Sequence, residues 1–189
     1  MPAYADIAVA VLAAGQGRRF GSDKLMADLD GRPMGSRIAR TLVEMPFSWR
    51  FAVCSKSAAL AQHFSASGFQ IIVNDKPEFG QAHSLHLAVE AAEATDAGAI
   101  LVLLADMPFV TTGHIEKLLA AGAGIIASTF GDGPTPPALF PRDMWPMLLA
   151  TSGDTGARAL LGDAKLIAAP ASELRDIDVP ADLREMQKS

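Results

Sequence analysis

A chain of 189 residues, half of them apolar, can bury a sizeable core and suits a single α/β domain over residues 1–189. Its formal net charge of −5 lacks the basic footprint of a nucleic-acid or membrane-surface binder. The lone cysteine, Cys54, excludes an internal disulfide and a cysteine-rich zinc site and reads as a small core residue. No stretch is long and apolar enough to span a bilayer, and Met1 to Asp6 lacks the regions of a signal peptide, so the cytoplasm is the expected compartment.

In chain order, the first element is an apolar, β-prone run over residues 7–13 that empties into Ala14-Gly15-Gln16-Gly17-Arg18-Arg19-Phe20-Gly21-Ser22-Asp23-Lys24. A buried strand opening into such a loop aims unpaired backbone N–H groups at one spot. Glycines let the main chain approach a ligand, and the cations add charge for phosphate. This is the pattern of a nucleoside triphosphate site. A P-loop fits badly, because Lys24 stands three residues after Gly21 and is followed by Leu25. A dinucleotide fingerprint fits no better, because Phe20 sits where its third glycine belongs and the next strand ends in Ser55-Lys56 without an acid.

Further strands are expected at 50–54, 70–73, 99–105 and 124–128, with helices at 34–44, 57–64, 81–94 and 112–121. Met34, Ile38, Leu42 and Met45 recur at helical spacing, one stripe against a sheet. Strands separated by crossover helices imply a mostly parallel, doubly wound sheet, which places ligands beyond the carboxyl ends of its strands. The strongest strand, Leu101-Val102-Leu103-Leu104-Ala105, ends in Asp106 on the edge that carries Gly15. A hard oxygen ligand there suits Mg2+ on a triphosphate. The competing role, capping the helix near 112, falls to Thr111 or Thr112.

Beyond Ser128 lies a turn-rich excursion over 131–137, then a short strand at 138–140 and a helix near 144–149. Asp154 or Thr155 reads as a helix N-cap, and Arg158, about one turn on, as a surface charge. Two extended pieces, at 166–169 and from Leu174, and a closing helix with Pro180 in its first turn complete the chain. Asp178 caps that helix or ligates a metal; residue type alone favours the cap.

Four blocks together resemble the molybdenum cofactor cytidylyltransferases, a MobA-like NTP transferase family. They are Leu12 to Lys24, close to the family's Leu-Ala-Ala-Gly-x-x-x-Arg-Met-Gly-x-x-Lys; Leu103-Leu104-Ala105-Asp106-Met107-Pro108; Gly153-Asp154-Thr155-Gly156-Ala157-Arg158; and Asp176-Ile177-Asp178-Val179-Pro180-Ala181-Asp182-Leu183. The third block and the pair Ala13-Ala14 resemble the cytidylyl branch in particular. Two stretches depart from the pattern. Gly80-Gln81-Ala82-His83-Ser84-Leu85-His86 matches Gly-Met-x-x-Ser-Leu-Arg only at Gly80, Ser84 and Leu85, and Pro136-Pro137-Ala138-Leu139-Phe140 stands where Gly-His-Pro-Val-Leu-Phe is usual. His83 and His86, three apart at a helix start, could face one site or lie on the surface.

The resemblance implies a three-layer α/β/α, Rossmann-like fold of the nucleotide-diphospho-sugar transferase type. It implies transfer of CMP from CTP (or of another nucleotide from GTP or a further NTP) to the molybdopterin cofactor, with Mg2+ and release of pyrophosphate. Leu12, Ala13, Ala14, Gly15, Gly17, Arg18, Lys24 and Ser84 would bind the nucleotide; Lys24, Arg19 and Asp106 would be catalytic. Asp106 and Asp178 would hold the metal, and Asp154 and Arg158 the acceptor. A molybdoenzyme or its chaperone would be the partner. The alternatives are another phosphate acceptor, such as a sugar phosphate or methylerythritol phosphate, and a non-catalytic accessory factor for molybdoenzyme maturation.

Overall fold

β1, Ile7–Ala13, is buried at all seven positions, and a strand covered on both faces belongs inside a parallel sheet. The computed structural model describes residues 4–15, 23–55, 58–131, 133–177 and 182, with backbone alone at 58, 154–156 and 159. In it β4, Trp49–Ser55, and β6, Ala99–Leu104, flank β1 in parallel, and β5, Gln70–Asn74, pairs in parallel with β4. On the far side of β6 lies β8, Pro134–Pro141, antiparallel to it; then come β7, Ile126–Thr129, antiparallel to β8, and β9, Lys165–Ala168, parallel to β7. The order is thus β5-β4-β1-β6-β8-β7-β9. The chain runs outward from β1 to β5 and returns to the opposite side of β1 for β6. That reversal is the switch point at which such sheets open a ligand crevice.

Alternate residues of β1 feed two cores, as a strand's period of two requires. Ile7, Val9, Val11 and Ala13 face α1 (Arg37–Val43), α2 (Ala58–Ala66) and α4 (Thr112–Ala120). Ala8, Ala10 and Leu12 face α3 (Gln81–Glu93) and α5 (Trp145–Leu149). The result is the expected three-layer α/β/α arrangement around a mostly parallel sheet. The stripe of Met34, Ile38, Leu42 and Met45 is buried throughout, although its first turn, Met34–Ser36, is 3-10. Thr111 caps α4, its hydroxyl accepting from the His114 N–H at 3.2 Å, which leaves Asp106 out of that role.

Four expectations are corrected. The strand read at 138–140 is eight residues long, because β8 begins at Pro134 inside the presumed excursion. Its pairing with β7 slips between Ala127 and Ser128, and Pro136 and Pro137 fall in that gap, where no ladder N–H is needed. The stretch around Arg158 is a 3-10 segment, Gly153–Asp163, preceded by Ser152, so Asp154 stands within its first turn and not at its cap. Residues from Ala171 to Leu174 form a short helix, α6, where an extended piece was read at Leu174; Leu174 itself is buried. Finally, Asp30 and Gly31, both at positive φ, turn a small hairpin of β2 (Asp28–Leu29) and β3 (Arg32–Pro33), which the hydrophobic pattern did not announce. The closing helix expected at Pro180 lies outside the described residues.

Candidate active site

Strand ends build the site. Beyond Ala13 the chain leaves β1 through buried Ala14 to exposed Gly15. A side chain at Gly15 would meet nothing within 4 Å among the described residues. Next door, β6 pairing continues one residue further as the Ala105 N–H donates to the Leu12 carbonyl at 3.1 Å. Asp106 therefore emerges level with the end of β1.

Lys24 reaches the same point from a 3-10 turn, Lys24–Met26, closed by the Ala27 N–H on the Lys24 carbonyl. That turn is seated by Gly35. A Cβ there would come within 2.9 Å of the Leu25 Cβ and 3.1 Å of Leu60 Cδ2, so only a glycine lets the next segment pack so closely. The Lys24 Nζ donates to Asp106 Oδ2 at 2.9 Å, with the lysine side chain 11% exposed and the aspartate 23%. Two residues 82 apart in sequence thus converge on one spot. The other carboxylate oxygen, Oδ1, is buried and has no hydrogen-bond partner among the described residues. Leaving a buried carboxylate oxygen unsatisfied is costly, and a divalent cation is the partner that hard, anionic oxygen favours. The residues present therefore fit a metal site. Asp106 also accepts the Ile177 N–H at its carbonyl, 3.0 Å away, which ties the C-terminal segment to this edge. Asp178 follows in the chain but lies outside the described residues, as do Gly17, Arg18 and Arg19. Among the described residues no three carboxylate, histidine or cysteine side chains gather into a complete metal cage.

A cavity of about 260 Å3 is lined among others by Leu104 and Met107, which bracket Asp106 in the chain, and by Pro134, Pro136, Arg158 and Asp176. A narrower apolar cleft adjoins it and brings Leu12, Gln81, Leu85 and Phe140 together with the same Arg158 and prolines. Arg158 thus reaches the crevice from its 3-10 segment, whereas the Asp154 side chain lies outside the description. Ser84 takes a different position from Gln81: it is 5% exposed, and its hydroxyl accepts from Asn74 Nδ2 at 2.9 Å. Asn74, 1% exposed at the end of β5, also accepts the Lys76 N–H at 2.9 Å. It fastens the strand end to α3 and so fixes Gln81. Asn74 was overlooked in the sequence, yet a polar residue directly after the apolar run 70–73 was the available signal. His83 and His86 diverge: one ring packs edge-on against Phe79 at 5.9 Å, and the other lies 3.3 Å from the Thr151 hydroxyl. Cys54 is buried in β4, and burial pushes its thiol up to about 11. It is a core residue with no thiolate chemistry to offer.

A family profile described as "MobA-like NTP transferase domain" matches residues 9–169. The chain belongs to that family. It is a nucleotidyltransferase, and its MobA-like sheet carries the Lys24–Asp106 contact at the switch point. It is similar to the purine catabolism protein PucB of Bacillus subtilis, 34% identical over 89% of this chain and 90% of that one. It is also similar to a probable molybdenum cofactor guanylyltransferase of Haloferax mediterranei, 34% identical over 62% of this chain and 57% of that one. Rv0371c of Mycobacterium tuberculosis, a solved structure, shares the fold at a TM-score of 0.83 and 24% identity, covering both chains completely. A second structure of that protein is a complex with manganese, at a TM-score of 0.80 and 22% identity over 97% of this chain and 99% of that one. No helix among the described residues is long and apolar enough to cross a membrane.

Proposed function

We propose that this nucleotidyltransferase moves a nucleotidyl group from a nucleoside triphosphate to the phosphate of a small-molecule acceptor. The contact of Lys24 with Asp106 at the sheet's switch point carries that reading. An oxygen of the acceptor phosphate attacks the α-phosphorus, the bond from that phosphorus to the β-bridging oxygen breaks, and pyrophosphate departs with the bond's electrons. The attacking oxygen is already anionic, so no strong general base is needed. Positioning and charge neutralisation are what the protein has to supply. Lys24 offsets charge on the α-phosphate and the departing pyrophosphate. Backbone N–H groups from Gly15 to Gly17, with Arg18 and Arg19, hold the β- and γ-phosphates, and Ala13 and Ala14 let the nucleotide approach β1. Arg158, with Asp154 four residues earlier, receives the acceptor. Asp106, whose Oδ1 has no partner among the described residues, would hold Mg2+ together with Asp178, and when bound the ion would neutralise the triphosphate oxygens.

For the acceptor, the class of phosphate-bearing small molecules has broader support than one compound. A narrower reading, CTP with the molybdopterin cofactor, draws on the Gly153–Arg158 block and the Ala13-Ala14 pair. It also draws on a relative named for molybdenum cofactor guanylyl transfer, although that name speaks of the guanylyl nucleotide. Pyrophosphate release by the purified chain with Mg2+ tests both. CTP, GTP, ATP and UTP are each supplied with molybdenum cofactor, with a sugar phosphate, with methylerythritol phosphate or with no acceptor. Acceptor-dependent release with any pair supports the transfer reading, and CTP with molybdenum cofactor supports the narrower one. Release by CTP with a sugar phosphate alone overturns the narrower reading, and triphosphate binding without release under every acceptor overturns transfer altogether.

A further inference from the structure

Pro134 and Pro136 line the crevice beside Arg158, yet neither they nor Pro137 can donate a backbone hydrogen bond to hold that wall in place. A buried side-chain relay holds it. His114, on α4, is 2% exposed, and its Nε2 lies 2.8 Å from the Ser128 hydroxyl. Ser128, wholly buried on β7, donates that hydroxyl to the Pro137 carbonyl at 2.9 Å. A hydroxyl carries one proton. With it committed to Pro137, Ser128 can only accept from the ring, so His114 bears its proton on Nε2 and leaves Nδ1 bare. Nδ1 is buried and has no hydrogen-bond partner among the described residues. A charged ring would place an N–H there without an acceptor, which is costly. Burial and Lys117 on the same helix favour the neutral ring, and Glu173 on α6 opposes them more weakly than burial does. Thr129, next to Ser128, closes the loop before the prolines by donating its hydroxyl towards the Gly131 and Gly133 carbonyls at 3.2 and 2.9 Å.

We propose that His114 is a positioning residue for the acceptor side of the crevice: through Ser128 it sets the Pro134–Pro137 wall that shares the cavity with Arg158. The role in turnover rests on the reading that Arg158 receives the acceptor; the relay itself does not. Hydrogen exchange and steady-state kinetics on the whole chain separate the two. Ser128→Ala removes one oxygen and breaks the relay. It should speed exchange at the Thr135 and Ala138 amides about tenfold and leave β1 unchanged. It should also raise KM for the acceptor about fivefold or more, with kcat and the triphosphate KM within about twofold. The acceptor is whichever of molybdenum cofactor, a sugar phosphate or methylerythritol phosphate supports pyrophosphate release by the unaltered chain. His114→Leu should behave alike, and His114→Gln, whose amide N–H reaches where Nε2 does, should restore both readouts. Should His114→Leu fail to fold, Ser128→Ala and His114→Gln decide the matter. Unchanged exchange in a folded Ser128→Ala, or no rescue by His114→Gln, overturns the relay. Faster exchange with an unchanged acceptor KM overturns the positioning role. An unaltered chain that releases no pyrophosphate with any of these acceptors overturns the transfer reading, and the positioning role with it, while exchange still reads the relay.

Discussion

The two halves of the crevice are built by different means. On the side proposed for the triphosphate, Gly15 and Asp106 stand at the ends of parallel strands whose registry is fixed by continuous backbone pairing, down to the Ala105 N–H on Leu12. On the side proposed for the acceptor, Arg158 rises from a 3-10 segment, and the facing prolines belong to a strand whose ladder is interrupted. There the geometry depends on single side chains such as Ser128 and His114. A sheet ladder spreads positional control over many bonds, whereas a relay concentrates it in two. Loss of one hydrogen-bonding side chain should therefore displace the second half more readily than the first.

The largest effect should come from Lys24→Ala. Removing a preorganised charge-stabilising donor should cost about 3–4 kcal/mol in transition-state stabilisation, read as kcat/KM for pyrophosphate release. Near-normal turnover would remove Lys24 from the chemistry and erase the contrast. Arg158→Ala comes next, with a loss of roughly 1.5–3 kcal/mol, the range for a hydrogen bond to a charged group. That loss should fall on the acceptor KM, while the triphosphate KM stays level; the reverse pattern would place Arg158 on the wrong side. Gly35→Ala should lower stability by about 1–3 kcal/mol through overpacking against Leu25. Calorimetry reads that loss, and kcat should fall with it because the Lys24 turn must shift. The smallest effect is a pH dependence. His114 has a folded pKa below its usual 6.5, because burial outweighs the pull of Glu173. The unfolded chain therefore binds the extra proton first, so this contribution is complete above about pH 6.5 and declines as the pH falls towards the folded value. Urea midpoints across that window should flatten in His114→Gln, and an unchanged acid slope would show that His114 is not its source.

Much of this was legible in the sequence for reasons of burial. β1 and β6 are uninterrupted apolar runs because both faces are covered, and the residues that follow such runs land on the ligand-bearing edge. Lys24 and Asp106 could therefore be paired before any geometry was known. β8 was truncated in the reading because prolines signal turns, and only the slipped pairing with β7 makes room for them. Asn74, at the end of β5, donates to the Ser84 hydroxyl on α3, a partnership that no local pattern encodes. Nothing in the local pattern singles out His114, because its contact with Ser128, and through it with Pro137, is made by the sheet.

Cys54 has a practical consequence. Its sole thiol is shut inside β4 and held protonated at ordinary pH, so an alkylating dye would pass the native protein by. A cysteine introduced at Phe130, which is 42% exposed on the rim of the crevice, would then take a single label with the natural thiol left in place. Fluorescence from that one position could follow substrate entering and product leaving, one turnover at a time.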